Sequence, residues 1–168
     1  RSAVAKALEI SNDDVTVNQL YLGGAFGRRL ESDYPVQAAR VAKATGYPIK
    51  MIWSREEDTR QDFYRPADTS RFWGGLDGSG KPVSWNNAFT QLNGPDGTWD
   101  VSHYDVPNRS IRHAPANKHL RFGSLRSVDH SQQGFFGESF IDELAHAAWQ
   151  DPFEYRRALL SKSPRHKA

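Results

Sequence analysis

Apolar residues recur along the chain with two periods, and the switches between them lay out the elements. Val4, Ala7 and Leu8 share one face of a short helix over 2–10. Beyond the turn at Asn12-Asp13-Asp14, Val15, Val17, Leu20 and Leu22 read as a strand. Gly23-Gly24-Ala25-Phe26-Gly27 is too rich in glycine to continue it. A helix is predicted from Asp33 to Thr45: Pro35 fits only its first turn, and Gly46 with Pro48 stops it. Ile49, Met51 and Trp53 alternate along a second strand. Ser54 and Glu57 then form a capping box, with Glu56, Glu57 and Asp58 at the positive end of the helix dipole.

Residues 68–92 read as two strands around Asp77-Gly78-Ser79-Gly80-Lys81, a hairpin. Residues 93–130 are loop-rich, with Asn93-Gly94-Pro95-Asp96-Gly97 and Val106-Pro107-Asn108, and carry one strand near 109–113. From Ser131 to Trp149 the pattern is helical, with Phe136, Phe140 and Leu144 spaced as a core face. Asp151 caps a last helix that Pro152 opens. Residues 162–168 are polar and aperiodic, and disorder is expected there. The sum is an α+β chain with a mixed sheet and packed helices, without repeats or a marked internal linker.

Composition changes this picture in one respect. Leu, Ile, Val and Phe supply only 34 of 168 residues, close to the ~20% level where packed cores become marginal. Five Trp and nine Phe compensate in part, and the core is expected to be completed against a neighbour. Arginine outnumbers lysine 15 to 7, and its planar fork suits phosphate and carboxylate. Yet 20 acidic residues nearly balance 22 basic ones, too small an excess for a general nucleic-acid binder. The chain has no cysteine, which excludes disulfides, thiolate zinc sites and an Fe–S cluster within it. It has no apolar run of about 18 residues, so no membrane span is expected. It opens at Arg1 inside a helical pattern without a signal peptide, and reads as a piece cut at both ends, 1–161 plus a tail. Periplasm and cytoplasm both stay open.

The loop at 23–27 is the first candidate for chemistry, because successive backbone amides near a helix start make an anion-binding concavity. A phosphate-binding Walker loop would need Gly-Lys-Ser/Thr where Gly27-Arg28-Arg29 stands. The Rossmann pattern would need glycine in place of Leu22. A plain tight turn fits the same residues. The six histidines, at 103, 113, 119, 130, 146 and 166, include no i, i+4 pair, and no metal ligand is expected. No Gly-x-Ser-x-Gly elbow or cysteine offers a nucleophile. The second candidate is Leu125-Arg126-Ser127-Val128-Asp129-His130-Ser131-Gln132, a loop entering a helix that suits a phosphorylated or oxygen-rich ligand. Ser131 as a cap beside a solvated Arg126 fits equally. Two other functions use the same residues: a standalone nucleotide-binding module on 15–45, or a nucleic-acid or protein interaction module on Arg28–Arg29 and Arg156–Arg157.

Five ordered motifs point to one family. They are Gly23-Gly24-Ala25-Phe26-Gly27-Arg28-Arg29-Leu30-Glu31; Val36-Gln37-Ala38-Ala39-Arg40-Val41-Ala42-Lys43; Ile52-Trp53-Ser54-Arg55-Glu56-Glu57-Asp58; Asp62-Phe63-Tyr64-Arg65-Pro66; and the 125–160 stretch with Phe140-Ile141-Asp142-Glu143-Leu144-Ala145-His146 and Asp151-Pro152. Together they resemble the molybdopterin-binding large subunit of the molybdenum hydroxylases, the xanthine dehydrogenase and aldehyde oxidase family, in its isoquinoline 1-oxidoreductase beta-subunit branch. The resemblance covers nearly the whole chain but a minor part of such a subunit.

It implies hydroxylation of N-heterocycles or oxidation of aldehydes with water as oxygen source. It also implies molybdenum held by molybdopterin, expected in the cytosine dinucleotide form. The [2Fe–2S] groups would sit in a small partner subunit, and the remainder of the large subunit would be the other partner. Gly23, Gly24, Ala25, Phe26 and Gly27 would lie beside the metal centre, with the Phe26 amide facing an oxygen on it. Arg126, Ser127 and Val128 would approach from the opposite side. Leu30, Val128 and Asp129 would line the substrate pocket. The family has Gly at the positions of Ala25 and Asp129. Purine-oxidising members have Glu at that of Leu30 and an aromatic at that of Val128, which argues against a purine. The general-base glutamate of the family belongs to a Gly-x-Gly-Glu segment outside this chain, as does a glutamine-bearing cofactor loop. Glu138 lies in a different, helical motif and does not replace that base.

Overall fold

The computed structural model describes residues 1–92, 103–116, 119–128 and 130–167; the Asn93–Gly97 turn expected from the sequence and Asp129 lie outside them. The chain separates into two compact units, Arg1–Arg65 with Arg121–Arg126, and Pro66–Leu120 with Ser127–Ala168.

In the first unit, α1 (Ser2–Leu8) packs on α2 (Asp33–Thr45). Lys43 Nζ reaches the Leu8 carbonyl at 2.7 Å, and Arg1 Nε donates to the Val15 carbonyl at 2.8 Å. Gly46, at φ 73°, ends α2 in a left-handed cap that a side chain would disfavour. Ser54 Oγ accepts from the Glu57 amide at 3.2 Å and starts α3 (Arg55–Gln61). The segment 121–126 is held by reciprocal backbone bonds: Tyr64 N donates to Arg121 O at 2.9 Å, and Gly123 N to Tyr64 O at 3.2 Å.

Two expected strands are corrected. Residues 15–22 and 49–53 are not strands among the described residues. Alternation of apolar side chains expresses a two-sided environment, but a strand also needs a neighbour to exchange backbone hydrogen bonds. Among the described residues neither segment has such a neighbour, and several of their apolar side chains are exposed, Leu20 at 80% and Ile52 at 78%, although Val15 is buried.

The second unit holds a three-stranded mixed sheet in the order β1-β2-β3, with β1 Asp68–Leu76, β2 Pro82–Gln91 and β3 Asn108–His113. β1 and β2 form the antiparallel hairpin, and β3 joins β2 in parallel, pairing Ser84 with Asn108 through to Phe89 with His113. Asp77 Oδ1 fixes the hairpin tip by accepting from Ser79 N (2.8 Å) and Lys81 N (3.0 Å). The helix α4 (His130–Ala147) packs on β1, where Gly74 lets it approach: a Cβ there would come within 2.7 Å of Leu144 and 3.1 Å of Phe140. Phe72, Trp85 and Phe140 make the aromatic centre, with ring centroids 4.9–5.4 Å apart. Ile141, Leu144, Tyr155 and Leu159 complete this core. Asp151 caps α5 (Pro152–Leu159) by accepting from Phe153 N and Glu154 N, each at 3.0 Å. Within the tail, Pro164–Lys167 form one helical turn, α6. No described helix is long and apolar enough to cross a membrane.

Candidate functional site

The glycine loop has the properties of a donor cradle. Phe26 and Gly27 lie in succession at φ 47° and 96°, the left-handed region that a phenylalanine enters only under strain. Among the described residues, no hydrogen bond engages the backbone amides of Gly23, Gly24, Ala25, Phe26 or Gly27. Gly23 and Gly24 are exposed, a Cβ on Gly23 would meet nothing within 4 Å, and Phe26 is 66% exposed. Unsatisfied donors on a turn of this kind form a positive concavity.

The glycines differ in what confines them. A Cβ on Gly24 would strike only the Phe26 ring, 2.5 Å from its Cε2, and an exposed ring can swing away. On Gly27 it would overlap the Ser124 carbonyl and lie 2.8 Å from the Leu125 nitrogen, and neither is free to move. Gly27 is therefore where the loop is seated on the 121–126 segment. Gly123 performs the same service one layer away, where a Cβ would come within 2.7 Å of Phe63 Cβ and 3.0 Å of Glu31 Oε1. Sequence reasoning passed over Gly123; its only signal is a lone glycine in Phe122-Gly123-Ser124.

Arg28 fastens the loop to the helix behind it, a role the sequence did not disclose. Its guanidinium grips both Asp33 oxygens, at 3.0 and 2.8 Å, places Nε 2.8 Å from Asp62 Oδ1, and lies 4.2 Å from the Tyr34 ring centroid. Asp33 sits in the first turn of α2, so the start of that helix is already occupied by its own carboxylate. That answers the nucleotide-module reading: the helix does not follow Gly27 directly, but comes after a 3₁₀ turn at Arg28–Leu30.

Burial alone would raise the Asp33 pKa; the Arg28 hydrogen bond and charge, with the Tyr34 amide, outweigh it and hold the carboxyl below its ordinary value. A depressed carboxylate stabilises the fold above its unfolded pKa, and that contribution is lost as pH falls through the folded pKa. Asp33→Asn is therefore expected to cost about 2 kcal/mol near neutrality, less than a fully buried pair would. Urea midpoints of the two proteins should converge at pH values below the ordinary aspartate range. A gap that persists unchanged into strong acid would contradict the role given to Asp33.

The second candidate loop, Arg126 to Val128, straddles the boundary between the two units. Arg126 is exposed, and its carbonyl accepts from Arg65 Nη2 at 2.9 Å within the first unit. Ser127 and Val128 begin the other unit's segment in succession at φ 72° and 47°, a rare conformation for a β-branched residue. The Ser127 carbonyl accepts from His130 N at 2.9 Å, and the Val128 carbonyl from Ser131 Oγ at 3.1 Å. Each of the two loops thus carries a pair of left-handed residues. The structure brings Gly27 against Ser124 and Leu125, directly before Arg126. Leu30 is 77% exposed at the end of the 3₁₀ turn.

Glu138 is fully engaged elsewhere. It accepts from Tyr104 Oη at 3.0 and 2.9 Å and from Arg156 Nε at 2.9 Å, while Arg156 also binds Asp142 at 2.6 Å. Arg157 pairs with Glu154 at 3.0 Å. Three of the four residues in the two arginine pairs are thus spent on internal ion pairs, which removes the basis for an interaction module built on them.

With this geometry in hand, comparison with known proteins is direct. The molybdopterin cofactor-binding domain family model matches residues 1–160. The chain is 30% identical over 179 residues to the isoquinoline 1-oxidoreductase subunit beta of Brevundimonas diminuta, covering 96% of this chain and 23% of that protein. It is 30% identical over 190 residues to the membrane-bound aldehyde dehydrogenase [pyrroloquinoline-quinone] of Gluconacetobacter polyoxogenes, covering 98% and 24%. In fold it is similar to the aldehyde oxidoreductase of Desulfovibrio gigas, with a TM-score of 0.66 at 21% identity over 82% of this chain and 16% of that one. The chain spans less than a quarter of the length of these relatives.

Proposed function

This chain belongs to the molybdopterin cofactor-binding domain family, and from that premise we propose that it is a cofactor-holding segment of a molybdenum-dependent oxidoreductase acting on N-heterocycles or aldehydes. The observation that carries the reading is the glycine loop: five backbone amides without a hydrogen-bond partner among the described residues, beside a segment that ends in Arg126. Those features fit a bulky, oxygen-rich, phosphorylated group, because backbone can approach it closely and an exposed guanidinium can face its phosphate.

When bound, molybdenum on molybdopterin supplies two-electron oxidation with oxygen from water; the cytosine dinucleotide form is the one we assign. Gly23, Gly24, Ala25, Phe26 and Gly27 would hold it by donating backbone N–H groups. Arg126, Ser127 and Val128 are the other residues we assign to it. The seating of Gly27 on the backbone of Ser124 and Leu125 holds the strained turn at Phe26 in place, so little reorganisation is left for the chemical step. From the family resemblance we assign Leu30, Val128 and Asp129 to the substrate pocket, and the absence of a carboxylate at position 30 disfavours purines.

The partners we assign are the rest of the large subunit and a small [2Fe–2S] subunit. Support for the first comes from 15–22 and 49–53, two segments with exposed apolar side chains and no ladder neighbour among the described residues. Support for the second is chemical: electrons must leave by way of a relay, and this chain has no cysteine to hold one.

Val128→Phe in the full-length enzyme tests the pocket. Phenylalanine already tolerates this backbone region at Phe26, and it lacks the β-branch of valine, so the fold should be kept. Molybdenum content should stay constant while the ratio of kcat/KM for an aldehyde against an N-heterocycle changes by about tenfold, as one well-placed contact can do. An unchanged ratio would remove Val128 from the pocket.

A further inference from the structure

The outer face of the sheet, opposite α4, is a second ordered array. Strand register sets it in rows: Thr69 beside Thr90; Arg71, Ala88 and Arg112; Trp73, Asn86 and Ser110; Gly75, Ser84 and Asn108. Its central strand alternates, with Trp85, Asn87, Phe89 and Gln91 buried on the core side, while Ser84, Asn86, Ala88 and Thr90 stay partly open. Arg71 and Arg112 are exposed, and among the described residues neither guanidinium has a carboxylate partner. Arg71 lies 5.9 Å from the Trp73 ring centroid, and Trp73 is 46% exposed.

Two strand spacings put the Cα atoms of Arg71 and Arg112 about 10 Å apart, with only the methyl of Ala88 between them. Both forks can converge on one anion above that methyl. The rest of the face is neutral: hydroxyls and amides around one large aromatic. That is the composition of a protein interface, with Trp and Arg as anchors and hydrogen-bonding groups as surround. A free small anion would leave Trp73 and most of the rows unused. Single-stranded nucleic acid would call for a basic stripe, and a chain with 22 basic and 20 acidic residues offers none.

We propose that this face docks an acidic polypeptide segment from outside residues 1–168, one Asp or Glu carboxylate bridging Arg71 and Arg112 over Ala88. Charge complementarity selects the acid. The length of the relatives, of which this chain spans less than a quarter, supplies ample polypeptide to carry it. The inference rests on the chain being part of a larger assembly, but not on the cofactor assignment.

The test uses the full-length subunit with its partner, carrying Arg71→Lys and Arg112→Lys. Both changes keep the charge and place an amine where a carbodiimide can join it directly to a touching carboxylate. Peptide mass spectrometry is expected to find an amide link from position 71 or 112 to an acidic residue outside 1–168. Adding Ala88→Glu, a carboxylate supplied within the chain, should abolish that link. Links confined to acids within 1–168, no link at all, or a nuclease-sensitive oligonucleotide on this face would each overturn the proposal. Molybdenum measured in the same preparation reads the cofactor assignment separately: normal metal without the link sinks this inference alone.

Discussion

In the full-length subunit, Gly24→Val is expected to remove most of the molybdenum while leaving the protein folded, whereas Gly27→Val is expected to lose metal and stability together. The difference lies in what each added side chain meets. At Gly24 the obstacle is one exposed phenylalanine ring, which rotates away at little cost, and the valine then stands in the concavity proposed to receive the cofactor. At Gly27 the obstacle is the backbone of Ser124 and Leu125, and φ is 96°. Valine there carries both a left-handed penalty and a steric overlap, together at least about 3 kcal/mol. Metal analysis and urea unfolding on both variants separate the cases. Full metal and full activity in folded Gly24→Val would reduce the loop to a turn.

The elements written in local chemistry were legible. Asp33 to Thr45 with Gly46 beyond it, Ser54 with Glu57, the Asp77–Lys81 tip, and Asp151-Pro152 each encode a start, stop or turn in neighbouring residues, and the structure places them there. Phe140 and Leu144 face the core as their spacing demands. Where the outcome depended on distant residues, the pattern fell short. The alternation at 15–22 and 49–53 reports a strand's side-chain environment but not whether a partner strand is at hand. Nothing near 108–113 says that it runs parallel to β2. The division into two units, with 121–126 returning to the first, is likewise invisible in composition.

At the site, the glycines announced a close backbone approach but not its target. That Gly27 rests on Ser124, some hundred residues on, is a tertiary fact that no local pattern in the sequence discloses. Arg28 reads as half of a basic pair, and its burial between Asp33, Asp62 and Tyr34 shows an internal clamp instead.

The second large effect concerns the chain by itself. Made as 168 residues, it is expected to hold no molybdenum tightly and to oxidise nothing. Two loops provide only part of the contacts that a large cofactor needs. On the proposed reading the general base belongs to another segment, and such a group contributes ~10²–10⁴-fold to rate. The exposed apolar segments around Leu20, Tyr21 and Ile52 should also promote self-association in the absence of their neighbours. The decisive measurement is molybdenum content and dye reduction for the 168-residue chain beside the full-length subunit co-expressed with the proposed iron–sulfur subunit. Stoichiometric metal and turnover in the full assembly, with neither in the isolated chain, is the predicted result; stoichiometric molybdenum with turnover in the isolated chain would contradict it.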